Sequence, residues 1–338
     1  MRACLAGLAS VGTALLLAGC GGHAGPAATG SPAAGRSPGS ASTRSSPSPS
    51  PSAFVPHLAT AHLARWQLPV ASARQALVPL GHGRVLVAGG LLAGDVSTDR
   101  VTEVDLASGR TRVMPPLAVP VHDVAGGLDD GVPVVVGGGN ATEQDVVQAL
   151  HGPAWQVVGH LPTTRSDLST VPVPHALLVV GGYDGSGTPT TLERLSPDGS
   201  MRGQGRLRHG DRYAATAVVG STAYVFGGEV AGRELGDVQA VDLRTGVTRV
   251  VGRLPVVLGH AMAAGIGGRI LLMGGRVTPE RQTAAMWWFD PATGRFTRAG
   301  SLPAPLSDAA VTSVGRRVWL LGGEGPAVTD RVVFVNVR

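Results

Sequence analysis

One position in each of six repeats carries a side chain able to do chemistry: Gln75, Asp123, Asp167, Tyr213, His260 and Asp308. Each lies fourteen residues before the first glycine of a Gly-Gly pair, at Gly89-Gly90, Gly137-Gly138, Gly181-Gly182, Gly227-Gly228, Gly274-Gly275 and Gly322-Gly323. The preceding residue is Arg74, His122, Ser166, Arg212, Gly259 or Ser307, and several of these are also charged. Polar and ionisable groups of this mixture suit a small-molecule site, or a general acid and base around a bound sugar. His122 and Asp123 with Asp167 or Asp308 offer ligands to a cation, yet adjacent His-Asp lacks the spacing of a metal motif. No metal and no cofactor is expected.

The glycine pairs recur at spacings of 48, 44, 46, 47 and 48 residues, each after a short apolar run. Ala309 to Leu321 shows the pattern: a small-residue strand, a turn at Gly315-Arg316, then Val318-Trp319-Leu320-Leu321 into the doublet. Two β-branched-rich runs around a Gly or Asp turn predict a hairpin. A second hairpin follows, its turn clearest in Val241 to Gly246 and Phe289 to Gly294. Leu117, Leu161, Leu207, Leu254 and Leu302 each stand six residues before the functional position. Each unit therefore reads as four antiparallel strands, a to d, in a meander. The segments between functional position and doublet align without a gap.

Four strands per unit at this period, with a glycine doublet ending strand b, resembles the kelch repeat. The resemblance covers about residues 63–338 and implies an all-β fold, a six-bladed β-propeller of four-stranded antiparallel blades. The family's aromatics after the second turn are mostly missing: Trp155 is present, but Arg112, Arg249 and Thr297 stand near the equivalent sites. Glycine suits the doublets because neighbouring sheets approach closely near the axis and the chain leaves strand b at positive φ. The last unit reaches only strand c, Arg331 to Val337, while Ala64 to Pro69 resembles a strand d ending. The N-terminal strand is thus expected to complete the sixth blade and close the ring.

The kelch arrangement implies that strand a lines a central channel and that the d-to-a and b-to-c loops share one face. Arg74, Gln75, His122, Asp123, Asp167, Arg212, Tyr213, His260 and Asp308 then ring the mouth as candidate ligand-binding residues, surrounded by Tyr183, Glu229, Arg276 and Glu324. The same polarity suits an ordinary solvated channel mouth. Copper radical oxidases with kelch domains use a cysteine joined to tyrosine, which this fold cannot supply. Ser196-Pro197-Asp198-Gly199 does not fit the sialidase turn. Sialic acid mutarotases are kelch propellers and supply the enzyme alternative.

The N-terminus points to location. Val11 to Ala18 is too short to span a bilayer and follows a positive charge, the pattern of a signal peptide. Leu17-Ala18-Gly19-Cys20 resembles the bacterial lipobox, in which the cysteine is acylated and becomes the first mature residue. Each methylene of such a chain contributes about 0.8 kcal/mol to membrane anchoring. We divide the chain into a signal peptide, 1–19; an Ala/Gly/Ser/Pro-rich linker, 20–53, too poor in apolar surface to fold; and the propeller, 54–338. With Cys4 in the leader and Cys20 lipidated, the folded part has no thiol. The formal charge of +5 shrinks once Arg2, Arg36 and Arg44 are set aside: 25 Arg then face 23 Asp plus Glu. Without a basic cluster interleaved with aromatics, nucleic acid is not an expected partner. The expectation is a monomeric, lipid-anchored protein on the extracytoplasmic face of the cell membrane, binding a protein or carbohydrate and not catalytic.

Overall fold

Short β-branched runs punctuated by glycine fold here into six four-stranded antiparallel sheets. The structure is a computed structural model that describes residues 54–338. Cys20, the leader 1–19 and the linker 20–53 fall outside the described residues.

In blade 1 the strands are Ala76–Gly81, Arg84–Ala88, Val101–Asp105 and Thr111–Met114, running a to d from axis to rim. Blades 2 to 5 repeat this order, with strand a at Ala125–Asp129, Ser169–Val173, Ala215–Val219 and Met262–Ile266. Blade 6 takes a, b and c from Ala310–Val314, Arg317–Leu321 and Arg331–Val337. Its strand d is the N-terminal Ala59–Gln67, paired antiparallel from Ala59 opposite Val337 to Gln67 opposite Arg331. The a strands touch in succession, and that of blade 6 meets that of blade 1. The chain is a closed six-bladed β-propeller.

Apolar residues bury between blades rather than in one central mass. Six clusters result, one for each pair of neighbours. Val78 and Leu86 of blade 1 meet Val135 and Trp155 of blade 2. At the closing seam Leu68, Trp319 and Leu321 meet Val85, Val104 and Leu106. Trp288 is buried between blades 5 and 6, whereas Trp287 is part-buried against the cluster between blades 4 and 5, beneath the Arg298 guanidinium, 4.5 Å from its ring centre.

The glycine doublet fastens one blade to the next. The second glycine's N–H donates to a carbonyl just ahead of the next blade's strand a: Gly90 to Val121 at 2.8 Å, Gly228 to Leu258 at 2.9 Å, and Gly323 to Ser72 at 2.9 Å across the closing seam. To reach it, Gly89 takes φ +65° and Gly90 φ +115°, and a Cβ on Gly89 would stand 2.6 Å from the Val121 oxygen. Gly89→Ala is expected to cost about 2–4 kcal/mol, from left-handed strain plus the clash. Gly94→Ala, at φ +77° with nothing nearby, should cost only about 1 kcal/mol. Urea midpoints of the two variants test this; equal losses would show that the blade contact carries no weight.

One part of the repeat alignment needs correction. In blade 1 the register shifts between Pro79 and Gly81, a bulge that adds one residue to the first hairpin. The position equivalent to Asp123 is therefore Arg74, fifteen residues before Gly89, and not Gln75.

Candidate functional site

The mouth is built first from backbone. Arg74, Asp123, Asp167, Tyr213, His260 and Asp308 all adopt left-handed φ, between +52° and +59°. This opens each strand a and turns its peptide toward the neighbouring blade. Asp308 O accepts from Arg74 N at 3.0 Å, His260 O from Asp308 N at 3.1 Å, and Tyr213 O from His260 N at 2.9 Å. Asp167 O accepts from Tyr213 N at 3.0 Å and Asp123 O from Asp167 N at 2.9 Å. Five such bonds run round the axis. Left-handed backbone costs about 1–2 kcal/mol for a residue with a Cβ, and such strain persists only where the surroundings hold it. Six non-glycine residues carry it here in one circle.

The residue before each ring position pairs with the residue after the glycine doublet. Ser166 exchanges both backbone hydrogen bonds with Tyr183, Arg212 with Glu229, Gly259 with Arg276, and Ser307 with Glu324. This pairing brings the b-to-c loop side chains to the ring.

Side chains then cross-link the mouth. Arg74 reaches from blade 1 over the channel, its Nη1 donating to Asp123 Oδ2 at 3.3 Å and to the Tyr213 hydroxyl of blade 4 at 3.4 Å. Its Nη2 donates to Glu324 at 3.3 Å. Glu324 also pairs with Arg276, which donates to Asp308 Oδ2 at 3.2 Å. His260 lies 2.7 Å from Asp308 through Nδ1 and stacks on Tyr213 with ring centres 3.7 Å apart. Arg212 lies over both Tyr183 and Tyr213, and donates to Glu229 at 3.0 Å. The mouth encloses about 480 Å³, counting the part open to solvent. Below the ring the channel is lined by small side chains, among them Thr170, Thr216, Ala263 and Thr312.

Burial and charge push these groups apart. Burial would lower His260, but Asp308 outweighs it and holds the imidazole up at about 9. Seen from the other partner, burial would raise Asp308, but His260 and the Arg74 and Arg276 guanidiniums hold it far below the usual range. These shifts describe one ion pair. Asp167 is pushed up by burial and by Asp123, against Arg212; Asp123 is pushed up by burial, against Arg74 and His122. The mouth thus joins an ionised carboxylate and an imidazolium to two carboxyl groups inclined to keep a proton.

The candidate residues converge with one displacement. Arg74, Asp123, Asp167, Tyr213, His260 and Asp308 form the ring, and Arg212 stands on its rim. His122 lies on the same rim, with Nδ1 2.8 Å from Ser97 Oγ and Nε2 3.4 Å from Asp123. Gln75 lies beneath the ring, and its amide donates to Leu321 O at 2.8 Å across the closing seam, a bond within the fold. Repeat reasoning missed a layer behind the mouth. Buried Asp211 accepts from Gln239 Nε2 at 3.1 Å, and His209 pairs with Asp237. Buried Arg165 holds Thr191 through both Nη atoms. Arg165 and Asp211 share a repeat position with Ser72, Val121, Leu258 and Leu306, and no common chemistry marks it.

Among the described residues no three His, Cys, Asp or Glu side chains converge so as to hold a metal ion. No protein-family model and no curated protein matches the sequence.

Proposed function

We propose that this protein is a lipid-anchored, extracytoplasmic binding module that takes its ligand at the channel mouth and loop face. The observation that carries the reading is the strained, hydrogen-bonded backbone circle. It holds side chains from all six blades in one mouth, and such preorganisation is what a recognition site requires. Location rests on the Leu17-Ala18-Gly19-Cys20 sequence. Phe54 packs under the Arg316 guanidinium and beside Gly267, at a-to-b turns on the face opposite the mouth.

Sugar-active catalysis of the mutarotase kind is the second reading. It is favoured by Asp167, a carboxyl inclined to keep its proton, in the same mouth as ionised Asp308, since opposed shifts supply an acid and a base. A ligand and glycan screen separates the two, with anomer exchange followed by NMR and the Arg212→Ala, His260→Ala double variant as control. Saturable binding without turnover, reduced at least about tenfold in the double variant, is the expected result. Turnover lost in the variant favours catalysis, and binding that ignores the variant excludes the mouth.

A further inference from the structure

The charges of the mouth are layered. The guanidiniums form much of its outward surface, and the Asp123, Asp167, Glu229 and Asp308 carboxyls lie behind them, while Glu324, 15% exposed, stands beside Arg74 and Arg276. Arg212 is 29% exposed, while its partners Asp167 and Glu229 are 3% and 10% exposed. Arg74 and Arg276 are each 17% exposed, above Asp123 at 7% and Asp308 at 5%. A molecule arriving from solvent therefore meets hydrogen-bond donors bearing positive charge.

The arginines are not equally committed. Arg276 uses Nε on Ser307, Nη1 on Pro279 O and Nη2 on Asp308 and Glu324. Arg74 spends Nη1 on two acceptors and Nη2 on a third. Arg212 makes one side-chain hydrogen bond, to Glu229, although a guanidinium has five N–H donors. Its Nη1 stands 3.7 Å from Asp167, beyond hydrogen-bond reach. Tyr183 and Tyr213 lie beside its plane, with ring centres 4.9 and 5.1 Å from Cζ. The aromatic rings fix that plane and favour approach of a ligand at its edge, where a fork of N–H groups matches the two oxygens of a carboxylate.

Resting on the reading of the mouth as a binding site, we infer that its ligand is a small hydroxylated monocarboxylate, whose carboxylate pairs with Arg212 and whose hydroxyls donate to Glu324 and its neighbours. A dianion such as phosphate suits the mouth less well, because Asp308 and Glu229 stand close behind the guanidiniums and Glu324 beside them. The cavity lined by the ring residues, with Tyr213 beside Arg212 among them, is about 480 Å³ with its part open to solvent, room enough for a single sugar.

The test is titration calorimetry of the purified protein with D-glucuronate, D-glucose and inorganic phosphate; the two sugars differ only at the carboxylate. Glucuronate is expected to bind in preference to both. Arg212→Ala should weaken it at least about tenfold, the scale of a lost charge-assisted pair. Glu229→Gln should tighten it about threefold, by removing a carboxylate that competes for Arg212. A gain cannot come from misfolding, so this variant guards against an unfolded Arg212→Ala. Equal affinity for glucose and glucuronate, lost together in Arg212→Ala, overturns the carboxylate and leaves the mouth a binding site. Preference for phosphate, or no glucuronate binding, also overturns the carboxylate. Glucuronate affinity untouched by both variants overturns the mouth site itself.

Discussion

A chain lacking residues 54–69 is expected to lose its cooperative unfolding transition and to aggregate. The deletion removes the ladder from Ala59 opposite Val337 to Gln67 opposite Arg331. It also takes Ala59 from the cluster between blades 5 and 6, and Leu68 and Trp66 from the seam between blades 6 and 1. Two of six interfaces are weakened together, and Arg331–Val337 becomes an open sheet edge, a template for pairing with other chains. The combined loss should be about 5 kcal/mol or more, comparable with the stability of an ordinary domain. Denaturant unfolding with light scattering measures it. A peptide of residues 54–69 added in trans should recover part of the transition, because the edge it covers is still present. An unchanged melt in the deleted chain would falsify the closure role.

The second large effect is alkaline weakening. Burial, opposed by His209, raises Asp211 to about 7 from its ordinary 3.8, so the folded state binds more protons than the unfolded state between these values. Stability must then fall as pH rises through that interval, and the loss is complete only above about 7. Three units correspond to about 4 kcal/mol as an upper order of magnitude. Asp123 and Asp167, also raised, act in the same direction. His260 adds to it: its stabilisation is whole below about 6.5 and is lost as pH climbs through 9. Asp308 and Glu229, both depressed, oppose this trend only in acid, where their contribution is lost as pH falls below about 4. Stability should therefore peak near pH 4, where the gain from the depressed groups gives way to the decline set by the raised ones. Asp211→Asn should flatten the decline from pH 5 to 8 while keeping an acceptor for Gln239. Melting temperatures across this range give the answer, and a wild-type protein most stable at pH 8 contradicts the assignment.

The repeat was legible because its physical demands are local. A doublet that must pass close to the next blade has to be glycine in every unit, and a strand buried on both faces has to be apolar. The Asp-x-x-Thr/Ser-Gly turns were legible for the same reason: Asp105 and Asp242 cap their own loops, accepting from Ser108 N and Thr245 N at 2.8 Å. The missing strand d was visible as a count. The blade 1 bulge was not, yet it left a trace: Leu68 stands seven residues before Gln75 but six before Arg74, the interval kept by the other five leucines. Arg74 reaching Tyr213 across the axis was beyond a linear reading, because blades 1 and 4 meet only through ring closure. Arg165 and Asp211 escaped because each serves one interface and answers to no repeat-wide rule.

Pairing Ala59 with Val337 also imposes an order of events. Every other blade is continuous in sequence and can form from neighbouring segments, with little loop closure. Blade 6 must wait until nearly the whole chain is released and its first strand can find its last. Until that moment one seam stays open, Arg74 and Gln75 lack the partners that Asp308 and Leu321 supply, and the mouth is incomplete. A complete mouth is therefore a report that the propeller has closed, which no fragment short of Arg331–Val337 can give.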